Sequence, residues 1–492
     1  MRNKHTASRP RAHRRLAVAA VAVASVALIA GCADGGTADS RVSATSTDVA
    51  FTACTDQSCA GTLDNKFPFK ISMPKKWNGT LLLYSHEYRA DVPVPLGTAA
   101  AGADPELSPT WTMGKADVGE NLLDVGFALA GAAVPDLGWR VGEQIEAADA
   151  LYAHFSEQVA KPDRVYTWGP STGALASLNL AQNREWVSGT APLCGNLAGL
   201  TRNYDIALDA AYAVRQLLYP GMKLANYLSL KEAQATYTEA MKRVRAAAAD
   251  SFGPGAQKLA VLGLAAVVPS KTATLPGAGV AGEAKAIAAN LEIVLARSTI
   301  DRYALERQYG GNPSTNVGTN YNLRASKQAV EEIQKARPGA YKKYMKPINK
   351  GARVAADGAA RDSANGSPGA TGAMKVPMVS LHTAYDAVAI TQNEGAIITA
   401  ARESSAVSLR LGQGNVVAPP WVAKEGAACV EAGHCSFTPD SVAGTVVILD
   451  KWVREGRFPS EASTAELLGP NSGYTPRYPH LKWPTGPAAP AN

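Results

Sequence analysis

The chain has 492 residues, of which 46% are hydrophobic and 18% are charged. This composition is too apolar for a disordered chain, and its apolar residues are too interrupted for a protein with many membrane spans. The formal net charge is +7, but residues 1–31 hold six of the Lys and Arg residues and no Asp or Glu. The remaining sequence is close to neutral, so it offers no basic face that would favour nucleic acid as a partner.

The first 31 residues have the pattern of a signal peptide. A basic start precedes the apolar residues 16–31, a run shorter than the ~20 residues that a bilayer span needs. The run ends in LIAG followed by Cys32, which resembles the bacterial lipobox, whose cysteine is acylated. We therefore expect export and a lipid anchor at Cys32 on the outer face of a bacterial cell membrane. Plain secretion is the alternative, and Arg14-Arg15 leaves the general and twin-arginine export routes both open.

An exported protein folds in an oxidising compartment, where cysteines can pair. The six cysteines are Cys32, Cys54, Cys59, Cys194, Cys429 and Cys435. Cys54 and Cys59 are spaced for one small loop, and Cys429 and Cys435 for another, which would leave Cys194 free. A Cys194–Cys435 bond is the rival pairing, and the sequence does not decide between them. No Cys-x₂-Cys pair and no His-Glu-x-x-His motif is present, so we expect no metal site.

Strand and helix patterns alternate after a small, polar tether at residues 32–50. Strands are predicted at residues 69–73, 80–85, 126–131, 164–168 and 188–193, and helices at 141–159 and 172–183. Short apolar strands that alternate with helices indicate a mostly parallel sheet. We therefore assign residues 51–195 to the first part of an α/β core.

Residues 196–374 are rich in Ala, Lys, Arg and Glu and have few strand signals. Helices are predicted at residues 205–218, 230–249, 282–296 and 324–336, so this stretch is interpreted as a helical insertion. A strand at 376–382 and a helix at 445–455 return the chain to the core. Residues 375–492 thus form the second part of the core and a Pro-rich tail.

One motif carries a candidate nucleophile. Gly169-Pro-Ser171-Thr-Gly173 matches G-x-S-x-G, and it stands where a predicted strand runs directly into a predicted helix. A sharp turn at this place projects the serine oxygen above the sheet, and the flanking glycines let backbone segments approach. The helix that begins after Ser171 points N–H groups at an oxyanion.

A serine nucleophile needs a base, which is usually histidine. His434 lies in a turn-like stretch shortly before the last predicted helix, whereas His382 ends a strand and is expected to be structural. The acid should lie between the nucleophile and the base, and Asp386 follows the strand at 376–382. The order Ser171, Asp386, His434 is that of α/β-hydrolases, in which the acid orients the imidazole and stabilises its charged form.

An oxyanion hole needs a second donor from the loop after an early strand. The segment at 80–89, TLLLYSHEYR, provides such a loop. The backbone N–H groups of Tyr88 and Thr172 are therefore the candidate donors.

Several segments resemble the secreted bacterial α/β-hydrolases in order and spacing: YSHEYR, GFALAGAAVPDLGW, WGPSTG, APLCG, LHTAYD and GHCSFTP. The resemblance covers residues 60–195 and 375–455. It implies an α/β-hydrolase fold with a mostly parallel central sheet, a large helical cap or lid, and hydrolysis through an acyl-serine intermediate without a cofactor. Glu87 departs from the family, which usually has glycine there, and it places a carboxylate near the reaction centre.

Three functions are compatible with these residues. The first is an extracellular serine hydrolase acting on carboxylic esters. The second is a serine exopeptidase, in which Glu87 would bind the free amine of a peptide substrate. The third is a non-catalytic surface protein that binds a ligand on a hydrolase fold. A Gly-x-Gly-x-x-Gly match at 277–282 follows Pro276 rather than a strand, so no dinucleotide cofactor is expected.

Overall fold

A computed structural model describes residues 58–64, 66–94, 117–250, 253–272, 275, 277, 279–404, 416–417, 433–469 and 482–484. The signal peptide, Cys32, the tether, Cys54 and Cys429 lie outside these residues. What the sequence indicates about them stays a prediction.

Eight strands form one sheet in the order β1-β2-β4-β3-β5-β6-β7-β8. The strands are β1 (Ser58–Leu63), β2 (Phe67–Ser72), β3 (Thr80–Tyr84), β4 (Ala128–Ala132), β5 (Arg164–Pro170), β6 (Gly189–Leu193), β7 (Leu381–His382) and β8 (Val416–Val417). β2 runs antiparallel to both β1 and β4, and all other neighbours are parallel. The carboxyl ends of β3, β5, β6 and β7 therefore meet at one edge of the sheet, where ligands bind in open α/β folds.

The burial of each strand follows from its position in the sheet. Every residue of β6 is buried, as are all but the first of β5, so these strands are apolar on both faces. In β2 buried and half-buried residues alternate, as expected of a strand near the sheet edge.

Helices cover both faces of the sheet. The core helices are α1 (Asp117–Asp124), α2 (Val141–Gln158), α3 (Thr172–Asn183), α12 (Gln392–Glu403), α13 (Pro439–Glu455) and α14 (Glu461–Leu468). Residues of α1 and α13 pack with Leu82, Tyr166 and Trp168 on one face. Residues of α2 pack with Leu81 and Val165 on the other face. The result is a three-layer α/β/α core.

The chain leaves the sheet after β6 and returns at β7, and the helices between them form the cap. They are α4 (Leu200–Leu217), α5 (Leu230–Ala249), α6 (Pro254–Ala266), α7 (Gly279–Ala296), α8 (Arg302–Tyr309), α9 (Lys327–Ala336), α10 (Ala340–Lys350) and α11 (Gly358–Asn365). Buried side chains of α4, α5, α6, α7 and α10 share one apolar core of the cap. A π-helical turn, Arg297–Asp301, joins α7 to α8. Across the described segments, no helix has the length and apolar character that crossing a bilayer demands.

Most predicted elements lie within a few residues of the observed ones, and α3 and α5 have the predicted bounds. Two predictions were wrong in detail. The helix expected at 324–336 is a 3₁₀ turn, Tyr321–Arg324, followed by α9, because Ser326 caps α9 by accepting from the Ala329 N–H. The strand expected at 376–382 is reduced to β7, with an isolated bridge between Thr190 and Met378 ahead of it.

Candidate active site

Ser171 occupies the sharp turn between β5 and α3. Its φ of 56° lies in the left-handed region that residues other than glycine seldom adopt, and its ψ is −117°. Its backbone N–H donates to the carbonyl oxygen of Leu193 on β6 (3.0 Å). A strand that passes through a strained serine into a helix is the nucleophile elbow. This turn and the strand order given above together identify the fold class. The chain has the α/β-hydrolase fold.

Gly169 and Gly173 let the loop after β3 lie directly against the elbow. A Cβ at Gly173 would stand 2.1 Å from the carbonyl oxygen of Ser85 and 2.6 Å from that of His86. A Cβ at Gly169 would likewise stand 2.1 Å from the Ser85 oxygen. Side chains cannot approach backbone oxygens so closely, so both contacts require glycine. The motif therefore holds the expected oxyanion loop beside Ser171.

The candidate acid and base are joined by a short hydrogen bond. His434 Nδ1 donates to Asp386 Oδ2 (2.7 Å). Asp386 is fully buried, and its Oδ1 accepts the backbone N–H groups of Val388 (2.7 Å) and Ala389 (2.9 Å). Because a carboxylate only accepts hydrogen bonds, the proton of the neutral imidazole is on Nδ1. Nε2 is then free to accept a proton, as a general base must.

A disulfide attaches the segment that carries the candidate base, His434, to the sheet. Cys194, the residue after β6, is bonded to Cys435, the residue after His434, with their Cα atoms 5.4 Å apart. A ring nitrogen of His434 lies within 4.8 Å of both sulfur atoms. The disulfide therefore fixes the position of His434 relative to β6, whose last residue binds the Ser171 backbone.

This bond corrects the expected pairing of Cys429 with Cys435. The fold brings the end of β6 to Cys435, so the rival Cys194–Cys435 pairing, which the sequence left open, is the observed one. Cys59 is also disulfide-bonded. Its expected partner, Cys54, lies outside the described residues.

Ser171 Oγ and His434 are not hydrogen-bonded to each other in the described part of the chain. The Ser171 side chain instead accepts a hydrogen bond from Asn196 Nδ2 (3.1 Å), and Ser171 is only 2% exposed. Catalytic hydrogen bonds are often formed only when substrate is bound. Attack on a substrate would therefore require Ser171 Oγ to turn toward His434 Nε2.

Three buried polar atoms near the elbow have no hydrogen-bond partner among the described residues. They are Asn196 Oδ1, Thr172 Oγ1 and the Trp168 indole N–H. Each such atom costs about 1–3 kcal/mol of folding free energy when it is left unpaired. Unpaired polar atoms beside a strained serine are typical of a site that binds a ligand.

A second imidazole–carboxylate pair lies behind Asp386. The ring of the fully buried His382 is 3.0 Å from Glu394 Oε1 and 2.7 Å from the carbonyl oxygen of Ala389, and its Nε2 is 3.9 Å from Asp386 Oδ2. Burial alone lowers the pKa of His382, but the hydrogen bond that its Nδ1 donates to Glu394 and the charges of Glu394 and Asp386 raise it, and the net direction is upward. A protonated His382 satisfies both acceptors and places a positive charge near the candidate acid.

The expected oxyanion donors flank the elbow. Thr172 is the first residue of α3, and Tyr88 lies in the loop after β3. Within the described residues, neither backbone N–H has a hydrogen-bond acceptor, so both are available to a substrate oxygen. His86 stabilises this loop with two hydrogen bonds. Its Nδ1 donates to the carbonyl oxygen of Glu87 (2.7 Å), and its Nε2 accepts the Val134 N–H (3.3 Å).

The cap is hydrogen-bonded to the expected oxyanion loop through the buried Asp301 of the π-helical turn. Tyr88 Oη donates to Asp301 Oδ1 (2.5 Å), and Tyr204 Oη of α4 donates to Oδ2 (2.6 Å). Burial raises the pKa of Asp301, and these two hydrogen bonds act against that rise. Arg297, from the same turn, donates to the carbonyl oxygen of Val388 beside the candidate acid. One π-helical turn, a feature frequent at functional sites, thus contacts the loop after β3 and the loop of the candidate acid.

Glu87 has a partner within the chain. Its Oε2 accepts a hydrogen bond from Tyr84 Oη (3.1 Å), and the backbone of Glu87 is held by His86 as described above. Burial and the Glu87 charge raise the pKa of the Tyr84 hydroxyl, which therefore remains a donor. The carboxylate expected to bind substrate thus has a structural contact of its own.

The sequence did not reveal Asn196, Asp301 or Glu394 as parts of this site. Asn196 offered a signal, because it follows the buried strand at 188–193 and so had to lie at the carboxyl edge of the sheet. Asp301 and Glu394 lie in helical patterns, and nothing in their spacing connects them with Tyr88 or His382.

Comparison with known proteins gives structural likeness only. No protein-family model matches the chain, and no curated protein matches it. An esterase from Aspergillus oryzae is 11% identical over 82% of this chain and 80% of that chain, with a TM-score of 0.38. Feruloyl esterase B from Aspergillus oryzae is 11% identical over 83% and 80%, with a TM-score of 0.37. The esterase domain of a Rhodothermus marinus protein is 12% identical over 81% and 97%, with a TM-score of 0.32. Likeness at this level carries no argument about activity.

Proposed function

We propose that this protein is a serine hydrolase that cleaves carboxylic esters, with Ser171 as nucleophile, His434 as base and Asp386 as acid. One observation carries the proposal. The strained Ser171 lies at the same edge of the sheet as the Asp386–His434 hydrogen bond, and the Cys194–Cys435 disulfide links the two through β6. A strained serine beside an oriented imidazole is the arrangement that acyl transfer requires.

In the acylation step, Ser171 Oγ attacks the ester carbonyl carbon as its proton passes to His434 Nε2. The carbonyl electron pair moves onto the oxygen, which the Tyr88 and Thr172 backbone N–H groups bind. The C–O bond to the alcohol then breaks, and His434 gives its proton to the leaving oxygen. Water repeats these steps on the acyl-serine and releases the acid.

One contact supports an ester rather than a peptide substrate. The peptidase hypothesis needs the Glu87 carboxylate for a free amine, whereas this carboxylate is already hydrogen-bonded to Tyr84.

We further propose that the mature protein is exported and anchored by a lipid on Cys32. The apolar run at 16–31 and the cysteine that ends it support this location. The two disulfide-bonded cysteines near His434 and Cys59 on β1 also fit an oxidising compartment.

The test uses the full chain in mild detergent with a fluorophosphonate probe, p-nitrophenyl esters and aminoacyl anilides. Covalent labelling and ester turnover should both be lost in Ser171→Ala. Ser156→Ala on α2 is the matched control, because it removes a serine outside the site, and it should behave as the wild type. Turnover of free-amine anilides alone would support the exopeptidase. If neither labelling nor turnover is observed, the result would support the non-catalytic binding protein.

A further inference from the structure

Asn196 lies beside the nucleophile, two residues beyond Cys194 at the end of β6. Its Nδ2 donates to Ser171 Oγ (3.1 Å), and its backbone N–H donates to the Ser171 carbonyl oxygen (3.2 Å). The residue is 1% exposed. These two bonds to one serine place the amide group of Asn196 at the reacting atom.

Two further asparagines hold this segment from behind. Asn203 Nδ2 donates to the backbone carbonyl oxygen of Asn196 (3.4 Å). Asn203 and Asn393 also form a reciprocal amide pair, because Nδ2 of each donates to Oδ1 of the other (3.1 Å in both directions). Asn203 belongs to α4 of the cap and Asn393 to α12 of the core. Asn196 is therefore fixed by both halves of the molecule.

The other end of the Asn196 amide is unsatisfied. Its Oδ1 is buried and has no hydrogen-bond partner in the described segments, and the same holds for Oγ1 of Thr172, the residue that directly follows Ser171. An amide oxygen only accepts hydrogen bonds, and buried acceptors are nearly always paired. A donor that reaches the site next to Ser171 Oγ would pair this oxygen.

We propose that Asn196 determines specificity by selecting esters that carry a hydroxyl or amine donor on the carbon next to the scissile carbonyl. The inference rests on the proposed esterase function, because it needs Ser171 as the nucleophile. Nδ2 binds the Ser171 oxygen before it turns toward His434, and Oδ1 belongs to the same planar amide. Oδ1 therefore lies within reach of a substituent on the α carbon of the acyl group that this oxygen attacks.

The contact is available throughout the reaction. While Ser171 Oγ forms its bond to the carbonyl carbon and its proton passes to His434, the acyl α carbon stays beside Asn196. After the alcohol has left with the proton from His434, the same donor still binds Oδ1 in the acyl-serine. A substrate without the donor leaves Oδ1 buried and unpaired at every step, which raises the free energy of the transition states for that substrate.

The test compares three methyl esters by pH-stat on the full chain: 2-hydroxypropanoate, 2-methoxypropanoate and propanoate. The methoxy ester keeps the oxygen but loses the donor. We expect kcat/KM for the hydroxy ester to exceed that for the methoxy ester by about 10- to 100-fold after correction for their rates of alkaline hydrolysis. A 2-aminopropanoate arm distinguishes a hydroxyl donor from an amine donor.

Three variants separate the role of Oδ1 from a structural role. Asn196→Leu should lose the preference, so the corrected ratio should fall to that of alkaline hydrolysis. Asn196→Asp should slow all esters but keep the preference, because it retains an acceptor oxygen at this position. Asn183→Leu, the same change at the exposed end of α3, should leave both rate and preference unchanged.

A corrected ratio near one in the wild type would overturn the inference, as would a preference that survives in Asn196→Leu. If Asn196→Leu does not fold, as judged by its thermal melting, loss of the preference in Asn196→Asp would overturn it. Failure of the proposed function has a different signature, in which no ester is turned over and Ser171 is not labelled by the fluorophosphonate.

Discussion

At the scale of single residues, Asp386 decides how His434 can act. The carboxylate is fully buried and holds the imidazole proton on Nδ1, so that Nε2 is free to accept a proton in the proposed reaction. An amide at this position can donate to Nδ1 and so favours the wrong tautomer. Such a substitution can leave the geometry of the loop intact and still prevent Nε2 of His434 from accepting a proton.

Asp386→Asn should therefore lower kcat by roughly 10⁴-fold without a comparable change in KM. Steady-state kinetics on a p-nitrophenyl ester measure both constants, and circular dichroism checks that the fold is retained. A kcat within tenfold of the wild type would show that Asp386 is not the acid.

His382 makes stability depend on pH. Its raised pKa means that the folded protein binds a proton more tightly than the unfolded chain, whose histidines titrate near ~6.5. The resulting stabilisation is complete below that pH and is lost as the pH rises through the pKa of the folded state. Glu394 contributes most to the raised pKa, through its hydrogen bond and its charge, and the charge of Asp386 adds to it.

Glu394→Gln should remove this part of the pH dependence, because a glutamine can donate to a neutral imidazole. Thermal melting between pH 6 and 9 should show the wild type losing stability as the pH rises, with a flatter profile for the variant. Parallel profiles would mean that His382 does not change its protonation on folding.

At the scale of secondary-structure elements, the elbow and the loop after β3 act as one unit. The loop can supply an oxyanion donor only while the Ser85 and His86 carbonyl oxygens lie against Gly169 and Gly173. Anything that enlarges residue 173 must push this loop away from the substrate oxygen.

Gly173→Ala should lower kcat by about 10²–10³-fold, the usual effect of losing one oxyanion donor. Gly142→Ala on α2 is the matched control, because its new Cβ would meet only Pro368, at 3.9 Å. Equal activity of the two variants would show that the loop after β3 does not bind the oxyanion.

At the scale of the whole molecule, the Cys194–Cys435 disulfide joins two parts of the chain that are 241 residues apart in sequence. It closes a loop that contains the entire cap, and it holds His434 against β6. Such a bond stabilises the fold mainly by restricting the unfolded chain.

Replacing both cysteines by alanine should lower the free energy of unfolding by about 2–4 kcal/mol. It should also lower kcat, because the His434 segment loses its attachment to the sheet. Denaturant unfolding and ester kinetics measure the two effects separately. Full activity of the double variant, or of wild type treated with a thiol reductant, would show that the bond is not needed to position the base.

Motifs and helices that depend on a local sequence pattern could be predicted from the sequence. Contacts between residues that are far apart in the sequence could not. Ser171 was recognisable because its turn needs particular neighbours, and the helix at 172–183 was recognisable from its apolar spacing. The partner of Cys435 and the contact between Asn196 and Ser171 arise from elements that meet only after the sheet has formed. Asp301 could not be connected with Tyr88, since more than two hundred residues separate them and Asp301 belongs to no motif.

The position of the cap between β6 and β7 also sets an order of assembly. Leu193 of β6 pairs with Leu381 of β7, so the two strands meet only after the whole cap between them has looped back to the sheet. Until that happens the edge of β6 is unpaired, and another chain can pair with it. Slow folding of the cap would therefore prolong the time during which β6 is open to aggregation.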